Sequence, residues 1–99
     1  MEATLSASAA SWRDFWSHGG AVDFSGIRHT RAAELERRVV LSQYLTAVQM
    51  AGDVPPQETG LTCSSWYGKH HTEMIWWHVA HFALWGREEF VEKALDWYQ

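Results

Sequence analysis

Apolar residues recur along the chain at helical spacing, and no run alternates with period two, so the pattern predicts four helices and no sheet. In the first, over about residues 3 to 18, Trp12, Phe15 and Trp16 fall at i, i+3 and i+4, and Gly19-Gly20 supplies the stop. The second runs from about Thr30, read as its N-cap, to Ala51, with Gly52 just beyond its end. Leu41, Tyr44, Leu45 and Val48 form its apolar stripe, while Arg31, Glu34 and Arg38 line a different, wet face. The third spans about residues 70 to 85 and stops at Gly86. Its Met74, Ile75, Trp76, Trp77, Val79, Phe82, Ala83, Leu84 and Trp85 point in nearly every direction at 100° per residue. A helix apolar all round has to be covered on more than one side. The fourth starts near Arg87 and reaches Tyr98, with Phe90, Val91, Ala94, Leu95 and Tyr98 inward.

Between the second and third helices lies the only long irregular stretch, DVPPQETGLTCSSWYGK. Pro55-Pro56 forbids helix there, and Gly60 and Gly68 permit turns. A connection longer than about 12 to 15 residues is uncommon in a compact domain and often functional. The order is an amphipathic helix, a long loop, a buried helix, a tight glycine turn and another amphipathic helix. It is the grammar of antiparallel helical hairpins laid in two layers. About four helices cannot close two layers. The expectation is therefore an all-α partial domain over residues 1–99, either a fragment or a chain that self-associates.

Composition narrows the partners. The 99 residues carry a net charge of −4, with scattered Lys and Arg, which disfavours a phosphate backbone as ligand. No segment approaches the roughly 18 to 20 apolar residues of a membrane span, so no membrane partner is expected. There is no basic n-region followed by an apolar core, hence no signal peptide in these residues. Periplasmic, secreted and cytoplasmic locations stay open. The single cysteine, Cys63, rules out an internal disulfide framework. The unusual number is tryptophan, seven in 99.

The chemistry concentrates in WYGKHHTEMIWWHVAH, residues 66 to 81. A sugar presents apolar C–H faces and a rim of hydroxyls. It calls for aromatic platforms beside groups that both donate and accept hydrogen bonds. Trp66, Tyr67, Lys69, His70, His71 and Glu73 supply that set at a loop-to-helix junction. On a helix over 70–85, Glu73 shares a face with His70 and Trp77, and a carboxylate in the first turn gains from the helix dipole. Plain core packing is the preferred account of at least two of Trp76, Trp77 and Trp85, and a helix N-terminal charge is the ordinary explanation of Glu73. A zinc site from His71, His78 and His81 has poor spacing and no HExxH, so no metal is assigned and no cofactor is called for. A small helical interaction module with an aromatic surface is the competing reading.

The string QYLTAVQMAGDVPPQETGL followed by SWYGKHHTEMIWWHVAHFALWGR resembles the catalytic domain of six-hairpin (α/α)6-barrel glycosidases, over residues from about 12 to 98. The likeness is to the bacterial inverting α-fucosidase-like and maltose-phosphorylase-like groups. There an outer helix leads into a Pro- and Gly-containing loop, and the next, inner helix opens with a polar triplet that holds the sugar. The triplet here is His71-Thr72-Glu73; His71 stands where those groups place Asp or Asn. The resemblance implies a glycoside hydrolase acting on carbohydrate, with Glu73 a sugar-binding residue and His71 a neighbour in the same subsite. Glycoside cleavage uses two carboxylates about 5 to 10 Å apart. Glu58 and Glu73 are the only local candidates, and in related barrels that pair comes mainly from later helix–loop junctions. The expected role of these residues is part of the sugar subsite, with loop 52–69 at its mouth. That expectation requires the Glu73 carboxylate to face a cavity.

Overall fold

The computed structural model describes residues 1–99 and is all-helical: α1 (Glu2–Ser17), α2 (Ala32–Met50), α3 (Met74–Leu84) and α4 (Glu88–Asp96), with one short 3-10 turn at Trp66–Gly68. Helix α1 stops where expected. Gly19, one residue past the C-cap His18, takes φ 74°, the left-handed conformation that a side chain resists. Helix α3 ends in a Schellman motif. Gly86 has φ 68°, its N–H donates to the Ala83 carbonyl, and the Arg87 N–H donates to the Phe82 carbonyl 2.9 Å away. That motif folds α4 back on α3 as an antiparallel hairpin, the most extensive helix pairing in the chain.

The core sits between this hairpin and the end of α1. Phe15, Val79, Phe82 and Ala94 are buried together, flanked by Trp12, Trp16, Ile75, Phe90 and Val91. The rings meet edge-on or tilted, with Phe82–Phe90 centroids 4.9 Å apart and Phe15–Trp16 centroids 4.9 Å apart. The α1 stripe anticipated from Trp12, Phe15 and Trp16 therefore packs as its spacing implies. The rest of α1, Glu2 to Ser11, is exposed.

Joining the elements is Arg87, only 1% exposed. Its guanidinium donates to the Phe15 carbonyl from Nη2 (3.0 Å) and Nε (3.3 Å), and from Nη1 to the Gly20 carbonyl (3.0 Å) and Gln43 Oε1 (2.9 Å). Its charge also lies 4.1 Å from the centroid of the Phe15 ring. No carboxylate pairs with it. The acceptors are a carbonyl in the last turn of α1, which has no helical partner, a loop carbonyl and an amide. Burial lowers its pKa from the ordinary value, partly offset by Glu89. One residue thus ties α1, the glycine loop, α2 and the α3–α4 turn.

Several expectations are corrected. Helix α2 begins at Ala32 with Arg31, not Thr30, at the N-cap, and no side chain caps it. Its stripe Leu41, Tyr44, Leu45 and Val48 is substantially exposed. The face turned to the core carries Gln43 and the small Ala47 and Ala51, because the Arg87 clasp draws Gln43 inward. Tyr44 still meets Trp12, ring centroids 4.8 Å apart. Glu34 does bind Arg38, and Arg37 as well, at 2.7 Å each, and these bonds hold its pKa down to about 2 on the wet face. Helix α3 is not covered all round. His78, Val79 and Phe82 are buried, but Trp76 and Trp77 are 70% and 71% exposed and Leu84 is exposed. Helix α4, α2 with the loop after it, and the Phe15 end of α1 cover the rest of the helix, and the side carrying Trp76, Trp77 and Leu84 is left open. On α4, Ala94 is buried and Phe90 and Val91 half-buried, while Leu95 and Tyr98 stay exposed. A Cα radius of gyration of 15.4 Å exceeds the roughly 13 Å of a compact domain of this size, in keeping with faces left open.

Candidate functional site

The loop after α2 is held across the start of α3 by histidines. Proline disrupts helix, so Pro55-Pro56 stays outside any helix, and the Pro56 carbonyl accepts a bond from α3's side of the loop. His70 Nδ1 donates to the Pro56 carbonyl (3.0 Å), which leaves Nε2 to accept from the Tyr98 hydroxyl (2.6 Å). His78 Nε2, on the buried face of α3, donates to the Glu58 carbonyl (2.9 Å). Gln57 Nε2 reaches the carbonyls of Gly60 (2.7 Å) and Cys63 (2.8 Å), curling the loop on itself. Pinned in this way, Glu58 turns its carboxylate to His71, Oε2 lying 3.3 Å from Nδ1. Both are half-buried.

Over this pair stands Trp66, its ring centroid 5.4 Å from that of His71. Trp66 and Tyr67 have φ of 47° and 59°, values that cost an L-residue roughly 1–2 kcal/mol each. Two consecutive aromatic residues held there lift their side chains off the loop: Trp66 is 62% and Tyr67 94% exposed. The result is a carboxylate and an imidazole at the foot of an aromatic platform, each able to serve a hydroxyl.

The other expected site residues fall differently. Helix α3 opens at Met74, not residue 70, because His70 and His71 are committed to the loop and Tyr98. His70 therefore does not share a helical face with Glu73, and its ring is a staple in place of a free sugar ligand. Glu73 sits at the N-cap position of α3 without a capping bond. It is exposed and lines none of the four main cavities. The requirement that its carboxylate face a cavity is not met within these residues, because no wall stands opposite the helix tip. Lys69 is exposed, and Trp77 faces solvent from the first turn of α3. His71, His78 and His81 are not brought together: the first meets Glu58's carboxylate, the second Glu58's carbonyl, and the third lies near α2.

Sequence reasoning passed over Arg87, Gln43 and Tyr98. For Gln43 a signal exists, since an amide interrupts the apolar spacing of α2 between Leu41 and Tyr44. For Arg87 the signal is the doublet Gly19-Gly20 preceding a distant Trp-Gly-Arg, which becomes meaningful only when the two turns touch.

His81, on the inner side of α3, titrates away from its ordinary range. Burial pushes its imidazole below the ordinary 6.5, opposed by a hydrogen bond to the His78 carbonyl and reinforced by the Arg87 charge. As pH falls through 6.5, the unfolded chain takes up a proton that the folded one refuses, so stability falls with pH in that window and levels below the folded pKa. Urea midpoints at pH 5 and pH 7.5 should show this decline in the wild type and a smaller one in His81→Phe.

Comparison with protein-family models, with curated proteins and with solved structures gives no match.

Proposed function

We propose that these residues form part of the sugar-binding subsite of a glycoside hydrolase with helical-hairpin architecture, and that its acid and base carboxylates belong to another part of the protein. The observation carrying this reading is the grouping of Glu58, His71 and Trp66. The platform offers a π-face to the C–H side of a pyranose. The imidazole and carboxylate below accept from and donate to its hydroxyls, as sugars require. Backbone strain at Trp66 and Tyr67 is of the sort that persists where a side chain has to be presented. The family-like string from Gln43 to Arg87 points the same way. Within this reading Glu58 replaces Glu73 as the carboxylate nearest the sugar. His71 accompanies it.

The test is a titration of the chain with a panel of monosaccharides, followed by NMR at the Trp66 indole N–H and the His71 ring. A saturable shift at both is expected. Trp66→Ala should weaken it about tenfold, equivalent to about 1.4 kcal/mol. A panel that moves neither signal overturns the proposal.

A second reading, an interaction or self-association module, is favoured by the open faces of α2 (Leu41, Tyr44, Leu45) and α3 (Trp76, Trp77). Apolar surface of this kind marks a contact site. Sedimentation velocity should then show concentration-dependent association that Trp76→Ser with Trp77→Ser suppresses; a monomer at all concentrations removes this reading.

A further inference from the structure

A cavity of about 560 Å³ is lined entirely by residues between Phe24 and Arg38. Its apolar walls are Phe24 and Ile27 from the loop after α1, with Ala32 and Leu35 from the start of α2. Hydrogen bonds hold that loop over the helix. Phe24 donates its backbone N–H to Glu36 Oε2 (2.6 Å), Ile27 donates to the Phe24 carbonyl (2.9 Å), and Ala32 donates to the His29 carbonyl (3.0 Å). Ile27 and Leu35 nevertheless stay 58% and 53% exposed, so nothing in the chain covers this face.

Walls and rim call for different parts of a ligand. The lining is almost wholly apolar, so an occupant that brings polar groups into it loses their hydration without replacement. A peptide backbone or a sugar is disfavoured on that ground; an alkyl chain is not. Arg31, Glu34 and Arg38 supply the charges around the cavity. The Glu34 carboxylate is spent on Arg37 (2.7 and 3.0 Å) and Arg38 (2.7 Å), and two guanidiniums against one carboxylate leave that group net positive. The exposed Arg31 guanidinium takes part in no ion pair. Beside it, His29 has its tautomer set by a hydrogen bond. The Arg31 backbone N–H donates to His29 Nδ1 (3.1 Å), so Nδ1 is the lone pair and Nε2 carries the hydrogen. The rim therefore offers donors and positive charge.

We propose that this cavity binds a medium-chain alkyl carboxylate, its chain against Phe24, Ile27 and Leu35 and its head on Arg31. A guanidinium matches a planar carboxylate with two parallel hydrogen bonds. An amine head would meet like charge. The volume lies within the roughly 300–1,000 Å³ of small-molecule sites. None of Glu58, Trp66 and His71 borders the cavity, so this site stands whether or not that grouping binds sugar.

The test is an NMR titration of the full chain with sodium octanoate, 1-octanol and sodium acetate in turn, read at the Ile27 and Leu35 methyl groups and the Arg31 Nε–H. Octanoate should shift all three to saturation. Octanol, with the same chain and no charge, should shift the methyls with at least tenfold weaker affinity, and acetate should leave the methyls in place. Arg31→Gln should bring octanoate down to the octanol level without changing octanol. Ile27→Ser should weaken both about tenfold, and Leu35→Gln carries the same test should Ile27→Ser unfold. These side chains are exposed, so none of the changes should move the melting temperature much. Trp66→Ala should leave octanoate binding intact. Equal affinity for octanoate and octanol overturns the proposal, as does an Arg31→Gln variant that binds octanoate like wild type. Octanoate shifts confined to the Trp76 and Trp77 indoles, or lost in Trp66→Ala, overturn it too. So does either rival occupant: self-association in sedimentation that Ile27→Ser abolishes, or methyl broadening by phosphatidylglycerol vesicles, where octanoate itself moves nothing.

Discussion

Replacing Arg87 by methionine is expected to destabilise the chain by about 3–5 kcal/mol, enough to unfold a domain with so small a core. Methionine fills much of the same space, so the loss is not mainly one of packing. It is the loss of donors for two buried acceptors, the Phe15 carbonyl at the end of α1 and Gln43 Oε1, and for the part-buried Gly20 carbonyl. Each unmatched buried acceptor costs about 1–3 kcal/mol. Arg87→Lys is the informative companion. Lysine keeps the charge but offers a single ammonium where the guanidinium spreads its donors over three acceptors on three elements. It should recover only part of the stability. Urea denaturation of the two variants checks this. A lysine variant as stable as wild type would show that charge alone, through the α1 dipole and the Phe15 ring, holds the junction. A methionine variant within about 1 kcal/mol of wild type would remove Arg87 as the clasp.

The second large effect belongs to Gly19. A methyl group there would lie 2.6 Å from the Trp85 carbonyl oxygen and 2.8 Å from Arg87 Cγ. The first obstacle is backbone and cannot rotate away. The residue also has φ 74°, which costs an alanine roughly 1–2 kcal/mol before any clash. Gly19→Ala should therefore destabilise by about 2–4 kcal/mol. At Gly26, where an added methyl meets nothing within 4 Å, alanine should be close to neutral. Thermal unfolding of the pair isolates the effect of close approach. Because the Gly19 methyl also crowds Arg87, combining Gly19→Ala with Arg87→Met should cost less than the sum of the two.

These two positions explain why the fold was only partly legible beforehand. The helices could be anticipated because each is a local event: Trp12, Phe15 and Trp16 mark one face of α1 whatever lies opposite, and Gly19 and Gly86 end helices by their own backbone freedom. Their boundaries shifted where a distant partner intervened. Residues 70 to 73 have helical company in sequence, but His70 is claimed by Pro56 and Tyr98 and His71 by Glu58, so α3 starts later. The same competition rearranged the candidate site. Trp66 and His71 come together as the composition suggested, joined by Glu58 from the loop. Glu73, two residues beyond His71, stays exposed and bonds to none of them.

Periodicity, turn residues and the spacing of aromatic positions are properties of a few consecutive residues, and from them the sequence by itself determined an all-helical chain, the stops at Gly19 and Gly86, and a segment near residue 66 crowded with aromatic and hydrogen-bonding side chains. It could not determine which apolar faces would be covered. Hydrophobicity says that a surface avoids water and does not say which neighbour covers it; here the chain covers the rest of α3 and leaves Trp76 and Trp77 outside. Nor could it show that an arginine at a helix start would be the best-buried cation, with Gln43 turned inward to meet it. A buried charge is tolerated only when several acceptors converge on it, and convergence of Phe15, Gly20 and Gln43 on Arg87 exists only after residues far apart in sequence have been folded into contact.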